Sequence, residues 1–153
     1  MRILVDADAC PVKEIIVRIA RRYSIEVIMF VNTCHVINDG YSTVVTVDQH
    51  SDSVDYAIAN SIKPGDIIVT QDHGLAALAM SPKNFVISQN GFIYDNSNID
   101  SLISFRHESA KVRRSGGRTP NPKKRTAEED EKFEKTLLEV IEKAKKRRRR
   151  KGI

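Results

Sequence analysis

Five short apolar runs alternate with helix-patterned stretches along the first two-thirds of the chain, and this alternation leaves few folds open. Arg2–Asp6, Ile25–Val31, Thr43–Val47, Asp66–Thr70 and Phe85–Ser88 are rich in Ile and Val, as strands buried on both faces are. Between them the apolar residues shift to helical spacing. Val12, Ile15, Ile16 and Ile19 follow Pro11, a residue tolerated in a helix's first turn. Val54, Ile58 and Ile62 follow Ser51, a candidate cap. Gly74–Met80 predicts a short third helix, and Leu102, Ile103 and Phe105 lie in a fourth from about Ile99 to Ala110. Asn38-Asp39-Gly40 and Lys63-Pro64-Gly65 read as breaks, and Asn90-Gly91 as a turn into a further strand at Phe92–Tyr94. The expectation is a three-layer α/β domain over residues 1–110, a parallel sheet with helices on both faces and right-handed crossovers.

Charge divides the chain differently. Residues 1–105 carry 7 Lys and Arg against 12 Asp and Glu, whereas residues 106–153 carry 18 against 8, within an overall net charge of +5. An acidic body with a basic extension points to a polyanionic partner. Residues 111–126 include Arg113-Arg114-Ser115-Gly116-Gly117-Arg118, too poor in apolar residues to fold alone, and read as a basic linker. Ala127–Lys146 predicts a charged helix with Phe133, Leu137, Leu138 and Ile141 on one face, a stripe that needs a surface to pack on. Arg147–Lys151 then closes residues 127–153 as a bare basic tail. No apolar run approaches the ~20 residues of a membrane helix, and the first residues lack a signal peptide's apolar core, so a cytoplasmic location is expected. Two cysteines, Cys10 and Cys34, make no disulfide framework.

In open α/β sheets ligands bind beyond the carboxyl ends of the strands. Nearly every informative acid falls there: Asp6 and Asp8 after the first run, Asp48 after the third, Asp72 after the fourth. Asp52 and Asp55, three apart, share one face at the start of the helix after the third run. Converging carboxylates repel unless a cation or protons neutralise them, and all-oxygen ligand sets suit Mg²⁺ or Mn²⁺. The rival role is helix capping, open to Asp48, Ser51, Asp52 and Asp72. Asp6 ends an apolar strand and Asp55 lies past the helix start, so capping explains them least. Cys10, Cys34, His35, His50 and His73 also fall near strand ends, at spacings that match no zinc signature. Cys10 is a candidate nucleophile or a packing residue, and His50 or His73 a candidate phosphate contact.

Four ordered motifs carry a resemblance. They are Asp6-Ala7-Asp8-Ala9-Cys10-Pro11; Ser51-Asp52-Ser53-Val54-Asp55-Tyr56; Pro64-Gly65-Asp66 through Thr70-Gln71-Asp72-His73-Gly74; and Arg113-Arg114-Ser115-Gly116-Gly117-Arg118-Thr119. In these, over about residues 1–140, the chain resembles the YaiI/YqxD family of uncharacterised bacterial proteins, which looks related to the PIN-like nucleases. That relation implies a parallel sheet between helices and a Mg²⁺- or Mn²⁺-dependent phosphodiesterase. Asp6 matches the PIN-type first aspartate, Asp55 the mid-chain helical acid, and Thr70 with Asp72 the later T-x-D, while Asp8 resembles an additional acid of the NYN branch. Where PIN enzymes often carry a fourth acid, His73 and Gly74 stand.

The function expected is cleavage of nucleic acid, RNA favoured, with Asp6, Asp55 and Asp72 holding the metal and Asp8 and Asp52 completing the site. Thr70, Arg113, Arg114 and Arg118 would meet ligand or phosphate. A second reading is a non-catalytic RNA- or ribosome-binding protein on the same fold. A third is a haloacid-dehalogenase-type phosphatase with Asp6 as nucleophile and Asp8 as acid.

Overall fold

The computed structural model describes residues 1–32, 36–48, 53–114, 116 and 124–150. Each expected run forms a strand: β1 (Arg2–Asp6), β2 (Glu26–Asn32), β3 (Thr43–Val47), β4 (Ile67–Val69) and β5 (Phe85–Ile87). They make one parallel sheet in the order β3-β2-β1-β4-β5, with Ile3 opposite both Val27 and Ile67. The helices are α1 (Lys13–Tyr23), α2 (Ser53–Ser61), α3 (His73–Ala79), α4 (Ile99–Arg114) and α5 (Ala127–Arg150).

Alternation along the strands builds two cores. Ile3, Val5, Val27, Met29 and Ile67 face Ile16 and Ile19 of α1 and Phe133, Leu137 and Ile141 of α5. Leu4, Ile28, Phe30 and Ile68 face Val54 and Ile58 of α2, Leu75 and Ala76 of α3, and Ile99 of α4. The chain steps outward from β1 to β2 with α1 on one face, then back from β3 to β4 with α2 on the other. A uniform crossover hand demands that switch of face. At the strand starts, the Arg2 guanidinium grips Asp66 at 2.6 and 3.1 Å, and Asp66 also accepts from the Lys63 amide at 2.8 Å.

Three departures from the sequence reading have local causes. The strand expected at Phe92–Tyr94 is reduced to one antiparallel bridge, Ile87 with Ile93, because β5 is only three residues long. Helix α4 runs on through Arg114, into the segment read as linker. Helix α5 extends to Arg150, taking four of the tail residues read as bare. Arg147 stacks on the Phe85 ring at 4.3 Å and donates to the Pro82 carbonyl at 3.0 Å.

The α5 stripe docks, and its approach is close. Thr136 Oγ1 donates to the Gly91 carbonyl at 2.7 Å, and Gly91 has φ +85° in the turn after β5. At the start of α5, Arg125 donates to the Gln89 carbonyl at 2.8 Å and to Asn90 Oδ1 at 3.0 Å. Helix α5 therefore begins at the carboxyl edge of the sheet and ends at the amino edge, beside Pro82 and Phe85. No described helix is long and apolar enough to cross a membrane.

Candidate functional site

The strand order reverses between β1 and β4, the place where an open α/β sheet leaves a crevice at its carboxyl edge. Asp6 ends β1, and Thr70 directly follows β4. The Thr70 hydroxyl donates to Asp6 Oδ2 at 2.9 Å and accepts from the Asp72 amide at 3.0 Å. Thr70 is itself buried, and the buried Tyr94 hydroxyl donates to its carbonyl at 3.2 Å.

Asp72 also does what a capping residue does: its Oδ1 accepts from the Leu75 amide at 3.1 Å, closing the first turn of α3. Capping and site membership are thus combined in one side chain. Asp8 turns toward β2, its carboxylate accepting from the Asn32 amide at 3.2 Å. Between Asp8 and Cys10, Ala9 holds φ +56°, an uncommon conformation for a residue with a Cβ. Strained loop residues of this kind cluster at functional sites.

Burial raises the Asp6 carboxyl to about 6, the Thr70 hydrogen bond works against that, and the charges of Asp55, Asp72 and Asp8 add to it. Asp55, in the first turn of α2, is therefore near enough for its charge to act on Asp6. Of the five expected acids four are described, and Asp6 feels the charge of the other three. The fifth, Asp52, lies outside the described residues, as do Ser51, His50, Cys34, His35 and Arg118. Asp48 is exposed beyond the edge strand β3.

The oxygen-only donor chemistry suits Mg²⁺ or Mn²⁺. Among the described residues, however, no three His, Cys, Asp or Glu stand together closely enough to hold an ion. Cys10 is buried, and burial pushes its thiol up, opposite to what an activated nucleophile needs. His73 Nδ1 lies 3.1 Å from the Leu102 carbonyl, tying α3 to α4.

The basic residues are placed less simply. Arg114 is exposed at the end of α4, and the Arg113 side chain is not described. Arg147 and Arg148 lie beside Met1, Gly65 and Lys83, at the opposite edge of the sheet from Asp6. Sequence reading missed that separation, and it also missed Tyr94, Asn32 and Arg125 as supports of the carboxyl edge. Only Asn32 carried a signal, its place directly after the run ending at Val31.

A family model described as an uncharacterised bacterial family, YaiI/YqxD, matches residues 4–143. The chain belongs to the YaiI/YqxD family. Relatives bearing the name UPF0178 protein agree in extent as well as sequence. The one from Ruminiclostridium cellulolyticum is 55% identical over 141 residues, 92% of each chain. The Clostridium tetani protein is 48% identical over 146 residues, 95% of this chain and all of its own. The Exiguobacterium sibiricum protein is 47% identical over 141 residues, 92% of this chain and 96% of its own. No solved structure matches this YaiI/YqxD member.

Proposed function

We propose that this protein hydrolyses phosphodiester bonds of RNA at the crevice between β1 and β4, with Mg²⁺ or Mn²⁺ held by Asp6, Asp55 and Asp72. The observation that carries the reading is the Thr70 hydroxyl joining Asp6 to the Asp72 backbone at the switch point of the sheet. A second support is the elevated Asp6 carboxyl, raised first by burial and further by the charges of Asp55, Asp72 and Asp8, charge that a cation would relieve. The resemblance to PIN-like nucleases agrees with both.

A bound divalent ion would supply Lewis acidity toward water and a phosphate oxygen. The chain's own residues do the positioning. Thr70 fixes the Asp6 carboxylate, Asp72 is fixed by the α3 amide it caps, and Asp8 is held against Asn32. Arg113 and Arg114 at the end of α4, and Arg118 four residues further on in the sequence, belong to this reading as phosphate contacts.

A non-catalytic RNA-binding role is the second reading, favoured by the lack of three closely gathered ligands among the described residues. The two separate on metal affinity. Calorimetric titration with Mn²⁺ should show one or more sites in the wild type that are lost or weakened at least ~10-fold in Asp6→Asn and Asp55→Asn. Absence of Mn²⁺ binding to the wild type at millimolar metal would discard the hydrolytic reading.

A further inference from the structure

The basic end of α5 does not lie at the carboxylate crevice, so its role must be sought where it is. Helix α5 is itself polarised. Glu128, Glu129 and Asp130 fill its first turn, Arg147 to Arg150 its last, and from Lys143 onward it carries no acid. Its last turns border a cavity of about 230 Å³ at the amino edge of the sheet, lined by Gly65, Lys83, Phe85, Arg147 and Arg148 among others. Met1 lines the same cavity, so it lies one strand length from Asp6, about 17 Å for a five-residue strand.

We propose that this groove is an anchoring site for the phosphate backbone of nucleic acid, separate from the carboxylate crevice. Charge complementarity argues first. Lys83, Arg147 and Arg148 converge on one cavity, and Arg147 is held in place there by the Phe85 ring and the Pro82 carbonyl. One of its five N–H donors serves Pro82, and a guanidinium fork matches phosphate oxygens. A crevice of converging carboxylates repels a polyanion, so an anchor at the opposite edge supplies the attraction the crevice cannot.

A membrane surface is the other large polyanion, and α5 is unsuited to it. Phe133, Leu137, Val140 and Ile141 are buried in the core and Leu138 is half-buried, so the helix offers no large apolar side chain for a bilayer.

Binding of a fluorescein-labelled oligouridylate of roughly 20 nucleotides, followed by anisotropy across a salt series, tests the anchor. The variant is Lys83→Gln with Arg148→Gln, both exposed, so the fold is retained. Lys132→Gln with Lys135→Gln, on the acidic half of α5, makes the same change in net charge elsewhere. The anchor requires at least ~10-fold weaker binding and a salt slope shallower by about 1.4 in the groove variant, two phosphate contacts' worth for a single strand. The control variant should bind nearly as the wild type does. Equal loss in both variants, or no loss in the groove variant, overturns the proposal. So does loss of binding to phosphatidylserine vesicles with RNA binding intact. The proposed hydrolysis is judged separately, because Asp6→Asn should keep its RNA affinity while any metal-dependent cutting disappears.

Discussion

The Thr70 hydroxyl lies 2.9 Å from Asp6 Oδ2, donating to it across the gap between β4 and β1. The same oxygen accepts from the Asp72 amide, so one side chain sets the positions of two aspartates from separate parts of the chain. A hydroxyl has one proton to give, and here it goes to the carboxylate.

Thr70→Val keeps the shape and removes both bonds. It leaves the Asp72 amide without its acceptor and should cost about 1–3 kcal/mol in urea unfolding. The Asp6 carboxyl should then titrate above its present value of about 6, since the lost hydrogen bond was lowering it. Thr70→Ser should restore both properties. A side-chain carboxyl titration by NMR checks this, and an unchanged Asp6 titration would break the link between Thr70 and Asp6.

The elevated Asp6 carboxyl also has a stability signature. Its folded value, about 6, lies above the ordinary 3.8, so between those pH values the folded chain keeps a proton that the unfolded chain has lost. Stability contributed by this group is full at acid pH, falls as pH rises from about 4 to about 6, and stays low above that. Asp6→Asn removes the penalty. Its advantage over wild type should grow through that window, to on the order of 3 kcal/mol above about pH 7. Added Mn²⁺ should narrow the gap by stabilising only the wild type. Denaturant melts at several pH values read it directly.

Gly91 holds α5 close to the sheet. A Cβ there would meet the Lys132 carbonyl carbon at 2.7 Å and the Phe133 nitrogen at 2.8 Å, on a backbone with φ +85°. Gly91→Ala must therefore push the helix away and strain the turn. A loss of more than about 2 kcal/mol is expected, with faster amide exchange along α5 than along β1. A stability within about 0.5 kcal/mol of wild type would show that the helix is not pinned there.

Much of this was legible because it depends on local pattern. Thr43–Val47 was readable residue for residue, since β-branched residues between turn signals have few other uses. The α5 stripe needed only its Phe133, Leu137 and Ile141 spacing, and Asp6 only its place after an apolar run. Partnerships between segments distant in sequence were not legible. Nothing in the chain says that Arg125 will bond Gln89, or that Gly91 will admit a helix backbone. The basic tail misled for the same reason: its composition leads to an expectation of anion binding, whereas its position depends on which way α5 docks.

The most direct test is cleavage of labelled single-stranded RNA with Mn²⁺ or Mg²⁺, comparing wild type with Asp6→Asn and Asp72→Asn. Asp72→Asn retains an oxygen to cap α3, so its fold should persist. The expected result is metal-dependent cutting by the wild type that falls at least ~100-fold in both variants. RNA bound but never cut by the wild type across several substrates, with both variants binding equally well, would contradict it and leave the carboxylate crevice without a hydrolytic role.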